Sequence, residues 1–195
     1  PNIKTLPDFD ELPDELEIPI LLKMGDDIST DGILKAGADV LPLRSNIPEL
    51  SKYAYYAIDE SFYDRSIQNK KTHTGFCVIA GDNYAQGSSR EHAALSPRYL
   101  GQKFAIAKSY ARIGWQNLIN FGMIPFEFTN TNDWDKLEQG DILRIENLRA
   151  SIKNRDSVTA IVVEKNIEIP LTCTISERQI EIILKGGVIN FVKQK

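Results

Sequence analysis

Between Phe76 and Phe128 three short apolar runs alternate with two stretches of helical spacing, and this rhythm constrains the fold more than any other feature of the chain. Phe76 to Ala80, Phe104 to Lys108 and Met123 to Phe128 read as strands, with Ser89 to Leu100 and Arg112 to Phe121 as the helices between them. Strand–helix–strand–helix–strand order calls for adjacent parallel strands joined by right-handed crossovers. Upstream, Ile18 to Met24 reads as a buried strand running into the polar loop Gly25 to Asp31, and residues 49–70 as two short helices. Downstream the character changes. Asp141 to Glu146, Ser157 to Val163 and Ile167 to Leu171 are short, β-branched and closely spaced, which predicts antiparallel strands. A last helix, Ser176 to Leu184, begins at a serine cap and stops at Gly186-Gly187.

The expectation is one α/β domain with a mixed sheet or partial barrel, a size that 195 residues accommodate. The first 19 residues hold four of the nine prolines, and six acids fall between Asp8 and Glu17. Proline denies such a stretch regular backbone hydrogen bonding, so residues 1–18 read as an extended arm or inter-domain linker ahead of a domain over 19–195.

Several function classes drop out on composition. The longest unbroken apolar run is six residues, Tyr53 to Ile58, against the roughly 20 that a membrane-spanning helix requires. No basic, apolar signal segment opens the chain. A net charge of −4 argues against a protein that grips nucleic acid through its phosphates. A cytoplasmic or organellar-matrix protein is expected, with no membrane partner. Cys77 and Cys173 stand 96 positions apart, there is no Cys-x-x-Cys, and there are two histidines, so no self-contained zinc or iron–sulfur site is expected on this chain.

The chemistry concentrates in Gly81 to His92, where a strand ends, a glycine-bearing loop follows, and Ser88 and Ser89 are expected to open a helix. Unpaired amides and the positive end of the dipole would attract an anion there, and Arg90 adds a planar fork for a carboxylate or phosphate. A serine cap beside a solvated arginine accounts for the same residues. Ser88 does not sit in a Gly-x-Ser-x-Gly elbow, and no Walker loop or Gly-x-Gly-x-x-G occurs. His92, four positions beyond Ser88, reads as a packed or solvated histidine rather than a base. In the second loop, Asp26, Asp27 and Asp31 could ligate a metal or serve as turn-forming side chains, and Arg44 follows in Leu41-Pro-Leu-Arg44.

Taken together, GSSREHAALSPRYLG, AIAKSYARIGWQNLINFGMIPFEF and the upstream GDDISTDGILKAGADVLPLRSN closely resemble the C-terminal domain of aconitases, from about Pro19 to near the end. The loop order and the length of the first loop resemble the bacterial-type enzymes. The resemblance implies a three-layer β/β/α swivelling domain that closes over the active site of an aconitate hydratase. That enzyme interconverts citrate and isocitrate through cis-aconitate by dehydration and rehydration. On the matching positions, Ser88 resembles the catalytic base. Ser89 and Arg90 resemble substrate-carboxylate ligands, Arg44 the arginine on the terminal carboxylate, and Asp31 a loop aspartate near the site. The [4Fe-4S] cluster is implied on three other domains or on a large subunit, because two isolated cysteines cannot hold one.

Two positions depart from the family pattern: Gly32 and Gly114 stand where histidine is usual. A small subunit of an isopropylmalate- or homoaconitate-type hydro-lyase is the alternative within the superfamily, although such subunits usually carry a shorter first loop. A non-catalytic binding module is the alternative outside it.

Overall fold

A computed structural model describes residue 6 and residues 8–194. The elements are β1 (Leu16–Lys23), α1 (Thr30–Ile33), α2 (Ile47–Leu50), α3 (Phe62–Asn69), β2 (Phe76–Ala80), α4 (His92–Leu100), β3 (Gln102–Ala107), α5 (Arg112–Asn120) and β4 (Ile124–Phe128). They continue as β5 (Ile142–Ile145), α6 (Leu148–Asn154), β6 (Val158–Val162), β7 (Ile167–Thr172), α7 (Glu177–Leu184) and α8 (Val188–Lys193). Short 3-10 turns span Leu41–Leu43, Ser51–Tyr53 and Thr131–Lys136.

The strands close into a barrel in the order β1-β2-β3-β4-β7-β6-β5. Closure follows from β1, which pairs parallel with β2 on one side and antiparallel with β5 on the other, Leu16 opposite Ile145 and Ile18 opposite Leu143. A closed barrel leaves no unpaired strand edge. Of the two forms the sequence allowed, the mixed barrel is the one formed, and it is complete. The strand–helix rhythm is borne out: β1, β2, β3 and β4 are mutually parallel, and the later strands are antiparallel.

Burial explains the composition of the two halves. In β2, Cys77 and Ile79 point into the barrel, while Phe76, Val78 and Ala80 pack outward against the layer that includes α3 and α4. β3 divides the same way, Phe104 and Ile106 inward and Ala105 and Ala107 outward. Strands covered on both faces need continuous apolar runs. β6 alternates buried Val158, Ala160 and Val162 with exposed or half-exposed Thr159 and Ile161, because its outer face meets water.

Three details differ from expectation. β1 starts at Leu16 rather than Ile18, since Leu16 also reaches the barrel interior. Helix α6, between β5 and β6, and helix α8, after Gly187, carry no signal that was read. The helix expected from Ser89 begins at His92: the Arg90 amide turns back to the Ser88 carbonyl at 2.9 Å, a tight turn incompatible with helical pairing. At the far end, the serine cap of α7 forms as a capping box between Ser176 and Gln179. Residues 8–15 run without helix or strand, seating Leu12 in the barrel-side core and placing the Phe9 carbonyl on Asn190 at 2.7 Å. The rest of the expected arm, residues 1–5 and 7, lies outside the described residues. Among the described residues, no helix is long and apolar enough to cross a membrane.

Candidate functional site

The carboxyl ends of the parallel strands β1, β2 and β3 lie side by side, and parallel strands of α/β folds, in barrels and open sheets alike, characteristically present their ligand sites there. The loops leaving them are stitched to one another through the backbone. Asp27 donates to the Asp82 carbonyl at 2.8 Å, Ala85 to Ile28 at 2.8 Å, Thr30 to Gln86 at 2.8 Å, and Tyr84 to Ser109 at 3.0 Å. The acids of the first loop serve this stitching. Asp26 accepts the Asp82 amide at 2.7 Å, and the Asp27 carboxylate accepts the Asn83 side-chain amide at 2.9 Å. Asp26 and Asp27 thus act as turn-forming side chains; among the described residues, no three His, Cys, Asp or Glu side chains gather to hold a metal ion.

On this platform Ser29 caps α1, its hydroxyl accepting the Gly32 amide at 3.1 Å. The cap puts Asp31 in the first turn, where its carboxylate forms an ion pair with the Arg90 guanidinium. Ser88 and Ser89 are exposed just ahead of Arg90, in a loop rather than in a helical turn. Among the described residues their backbone amides find no partner, so donors remain available at this corner even without the helix end.

Arg44 follows the 3-10 turn Leu41–Leu43 and is exposed. Its backbone carbonyl contacts His92 Nε2 at 3.1 Å, which ties the Arg44 loop to the start of α4. His92 is thus a half-buried tether between the two loops. Arg44, Arg90 and Lys35 line one small cavity of about 50 Å³. Lys35 is held by Asp39 at 2.8 Å, and that hydrogen bond raises its pKa. The structure thus brings together Asp31, Arg44, Ser88, Ser89 and Arg90, at adjoining loops on one end of the barrel.

The support beneath these loops was not read from the sequence. Tyr55 is fully buried, and its amide donates to the Ile33 carbonyl at 2.7 Å. Its hydroxyl donates to Gln102 Oε1 at 2.9 Å and stands 2.7 Å from the Tyr84 hydroxyl. With its single proton given to Gln102, Tyr55 accepts from Tyr84. Burial pushes the pKa of both phenols up, so both stay protonated. This chain of hydroxyls locks the Asp31–Arg44 segment and the Gly81–Gly87 loop to the barrel. The available signal is a tyrosine in each segment, Tyr55 in the stretch read as helical and Tyr84 in the polar loop after Ala80.

The two departures from histidine differ physically. A Cβ on Gly32 would make ordinary contacts, 3.6 Å to Ile58 and 3.7 Å to Ile28. A Cβ on Gly114 would lie 2.4 Å from the Ala85 Cβ and 2.8 Å from its carbonyl oxygen. Helix α5 presses directly on the loop that carries Ser88. The cysteines are both free, and burial raises the Cys77 thiol strongly and the Cys173 thiol to about 12.

The comparisons fit this geometry. A family model described as the aconitase C-terminal domain matches residues 42–131. The chain is 37% identical over 172 residues to the 3-isopropylmalate dehydratase small subunit 2 of Archaeoglobus fulgidus, covering 88% of this chain and 92% of that one. The chain belongs to the aconitase C-terminal domain family. The methanogen homoaconitase small subunit of Methanocaldococcus jannaschii is 36% identical, with 89% of each chain covered. A crystal structure of 3-isopropylmalate dehydratase from the same organism superposes with a TM-score of 0.72 at 34% identity, over 92% of this chain and 94% of that one.

These members of the aconitase C-terminal domain family are, by name, hydro-lyases. The two relatives matched along nearly their whole length are an isopropylmalate dehydratase and a homoaconitase small subunit, which corrects the narrower resemblance to bacterial-type aconitase drawn from the loop lengths.

Proposed function

We propose that this chain is the substrate-closing part of an aconitase-type hydro-lyase, of the kind built with isopropylmalate or homoaconitate dehydratase small subunits. It would remove and re-add water on a hydroxy di- or tricarboxylate, in the cytoplasm or an organellar matrix. The observation that supports this reading is that Arg44 and Arg90 line one cavity, with the exposed Ser88 and Ser89 immediately ahead of Arg90 in the same loop. Two planar forks on neighbouring loops suit a substrate with several carboxylates.

In this reading Arg90 grips one carboxylate beside the Ser88-Ser89 amides, and Asp31 holds Arg90 in position until substrate arrives. Arg44 takes a more distant carboxylate at the end of its loop. Ser88, as the alkoxide, accepts the proton leaving carbon. Unpaired amides and Arg90 stabilise that alkoxide, which an isolated serine could not sustain.

The leaving hydroxyl requires a Lewis acid that the described residues do not fit: a buried Cys77, a half-buried Cys173 far from it in sequence, and no cluster of ligands. A [4Fe-4S] cluster on partner domains or a large subunit would supply it. Aconitate hydratase itself, acting on citrate, cis-aconitate and isocitrate, is the second reading. It is favoured by the longer first loop that carries Arg44.

The test is Ser88→Ala in the assembled enzyme, assayed with isopropylmalate, homocitrate and citrate. Turnover should fall by more than a thousandfold while the iron content is unchanged. Activity within tenfold of the parent, about 1.4 kcal/mol of transition-state stabilisation at most, would remove Ser88 from the role of base. The preferred substrate in the parent enzyme decides between the two readings.

A further inference from the structure

The opposite end of the barrel, where β2 and β3 begin, holds a second concentration of positive charge. Arg98, in the last turn of α4, is only 6% exposed. Its guanidinium donates to two carbonyl oxygens, Asp10 at 3.1 Å and Gln102 at 3.5 Å, and it stacks 5.0 Å from the Phe9 ring. Its Nε is buried without a partner. Among the described residues, no carboxylate forms an ion pair with it.

Lys70 and Lys103 line the same cavity, of about 490 Å³. Lys70 donates to the Tyr99 carbonyl at 3.0 Å, and neither lysine has a carboxylate partner among the described residues. Two acids face the cavity, Asp8 and Asp10, and Asp8 is engaged by Lys193 at 2.9 Å. The seven residues preceding Asp8 include no acid. Burial lowers the pKa of Arg98, Lys70 and Lys103, with the neighbouring Arg98 charge adding to the effect on Lys103 and Asp10 opposing it at Arg98 and Lys103. Buried charges in folded proteins are normally paired.

We propose that this cavity is an anion site for a small organic phosphate, with Arg98 at its base and Lys70 and Lys103 at its rim. A phosphate dianion matches three cations against one free aspartate, and the volume accommodates a small phosphorylated metabolite. The site lies at the other end of the strands from Ser88 and Arg90, so it binds independently of the carboxylate substrate.

The test is calorimetric titration of the full protein with inorganic phosphate and with pyrophosphate, at constant ionic strength set by chloride. The variants are Lys70→Met/Lys103→Met, which keep the side-chain stems that pack near Gly101 and Gly75, and Arg90→Ala. Saturable binding that weakens at least tenfold in the lysine pair and is unchanged in Arg90→Ala is the expected result. No saturable binding, equal binding in the lysine variant, or loss in Arg90→Ala alone would overturn the proposal. Should the double variant fail to fold, Lys103→Gln alone carries the same reading with a smaller decrease.

Discussion

Replacing Gly114 by alanine sets two effects of opposite sign against each other. Within a helix, alanine is favoured over glycine by about 1 kcal/mol, so propensity alone predicts a more stable protein. The new Cβ, however, would lie 2.4 Å from the Ala85 Cβ and 2.8 Å from its carbonyl oxygen, where carbon atoms normally rest about 3.5–4.0 Å apart. Ala85 cannot yield easily. It already holds a left-handed backbone with φ of 65°, a conformation that costs a residue with a Cβ about 1–2 kcal/mol. It is also pinned by its amide to Ile28 at 2.8 Å. Overpacking of this kind costs about 1–3 kcal/mol, and contact with backbone puts it at the upper end. The net expectation is a loss of about 2 kcal/mol, or about 4–8 °C in melting temperature for a chain of this size. Ala85→Gly removes both the opposing methyl and the strained conformation, so the double variant should regain more than half of the loss. Thermal unfolding of the four proteins followed by circular dichroism makes the measurement. A Gly114→Ala protein that melts at or above the parent temperature would refute the close approach of α5 to the Ser88 loop, and with it the explanation of why no histidine stands there.

Arg44→Ala should raise KM for the preferred substrate by about 10–150-fold, the range for one charged hydrogen-bonded contact of about 1.5–3 kcal/mol, with a smaller effect on a substrate lacking the distal carboxylate. Steady-state kinetics on the two substrates checks this, and equal losses on both would separate Arg44 from that carboxylate. Tyr55→Phe leaves the buried Tyr84 hydroxyl and Gln102 without their shared partner, so urea unfolding should show a loss of about 1–3 kcal/mol. The thiols should resist modification at pH 8 in the folded protein, since the Cys173 pKa is raised to about 12 and that of Cys77 higher still. Burial raises both folded values above the unfolded ones, so the thiolate is disfavoured until far above pH 8. Two equivalents should react once denaturant is added, and rapid labelling of the native protein would contradict the burial.

The parallel half of the barrel was legible because β2, β3 and β4 are buried on both faces and so read as apolar runs between helical stretches. Helix α6 was not legible. Its seven residues, Leu148–Asn154, bury only Leu148 and Ile152, and its ends are set by Asn147 and Arg155 in left-handed conformations rather than by a serine or glycine signal. Closure of the barrel was equally invisible, because it depends on β1 meeting β5 across more than a hundred residues, a pairing that no local pattern records.

For the site, sequence supplied the residue types but not the mechanism of their placement. Ser88, Ser89 and Arg90 suggested a helix N-terminus, whereas the helix starts at His92 and the donors at this corner are unpaired loop amides beside two arginines. That difference changes what the site can do. A helix end is rigid, and its dipole is fixed. On the proposed function, a loop whose guanidinium is paired with Asp31, and whose neighbour is tethered by one His92 contact to the Arg44 carbonyl, would rearrange as a substrate carboxylate displaced Asp31. The rigid part lies one layer below, in the Tyr84–Tyr55–Gln102 hydroxyl chain and the packing of Gly114 on Ala85. On the proposed function, ligands carried by loops above such a packed base would let the domain close over a substrate and reopen, because the closing energy would then come from the new carboxylate contacts rather than from distortion of the barrel.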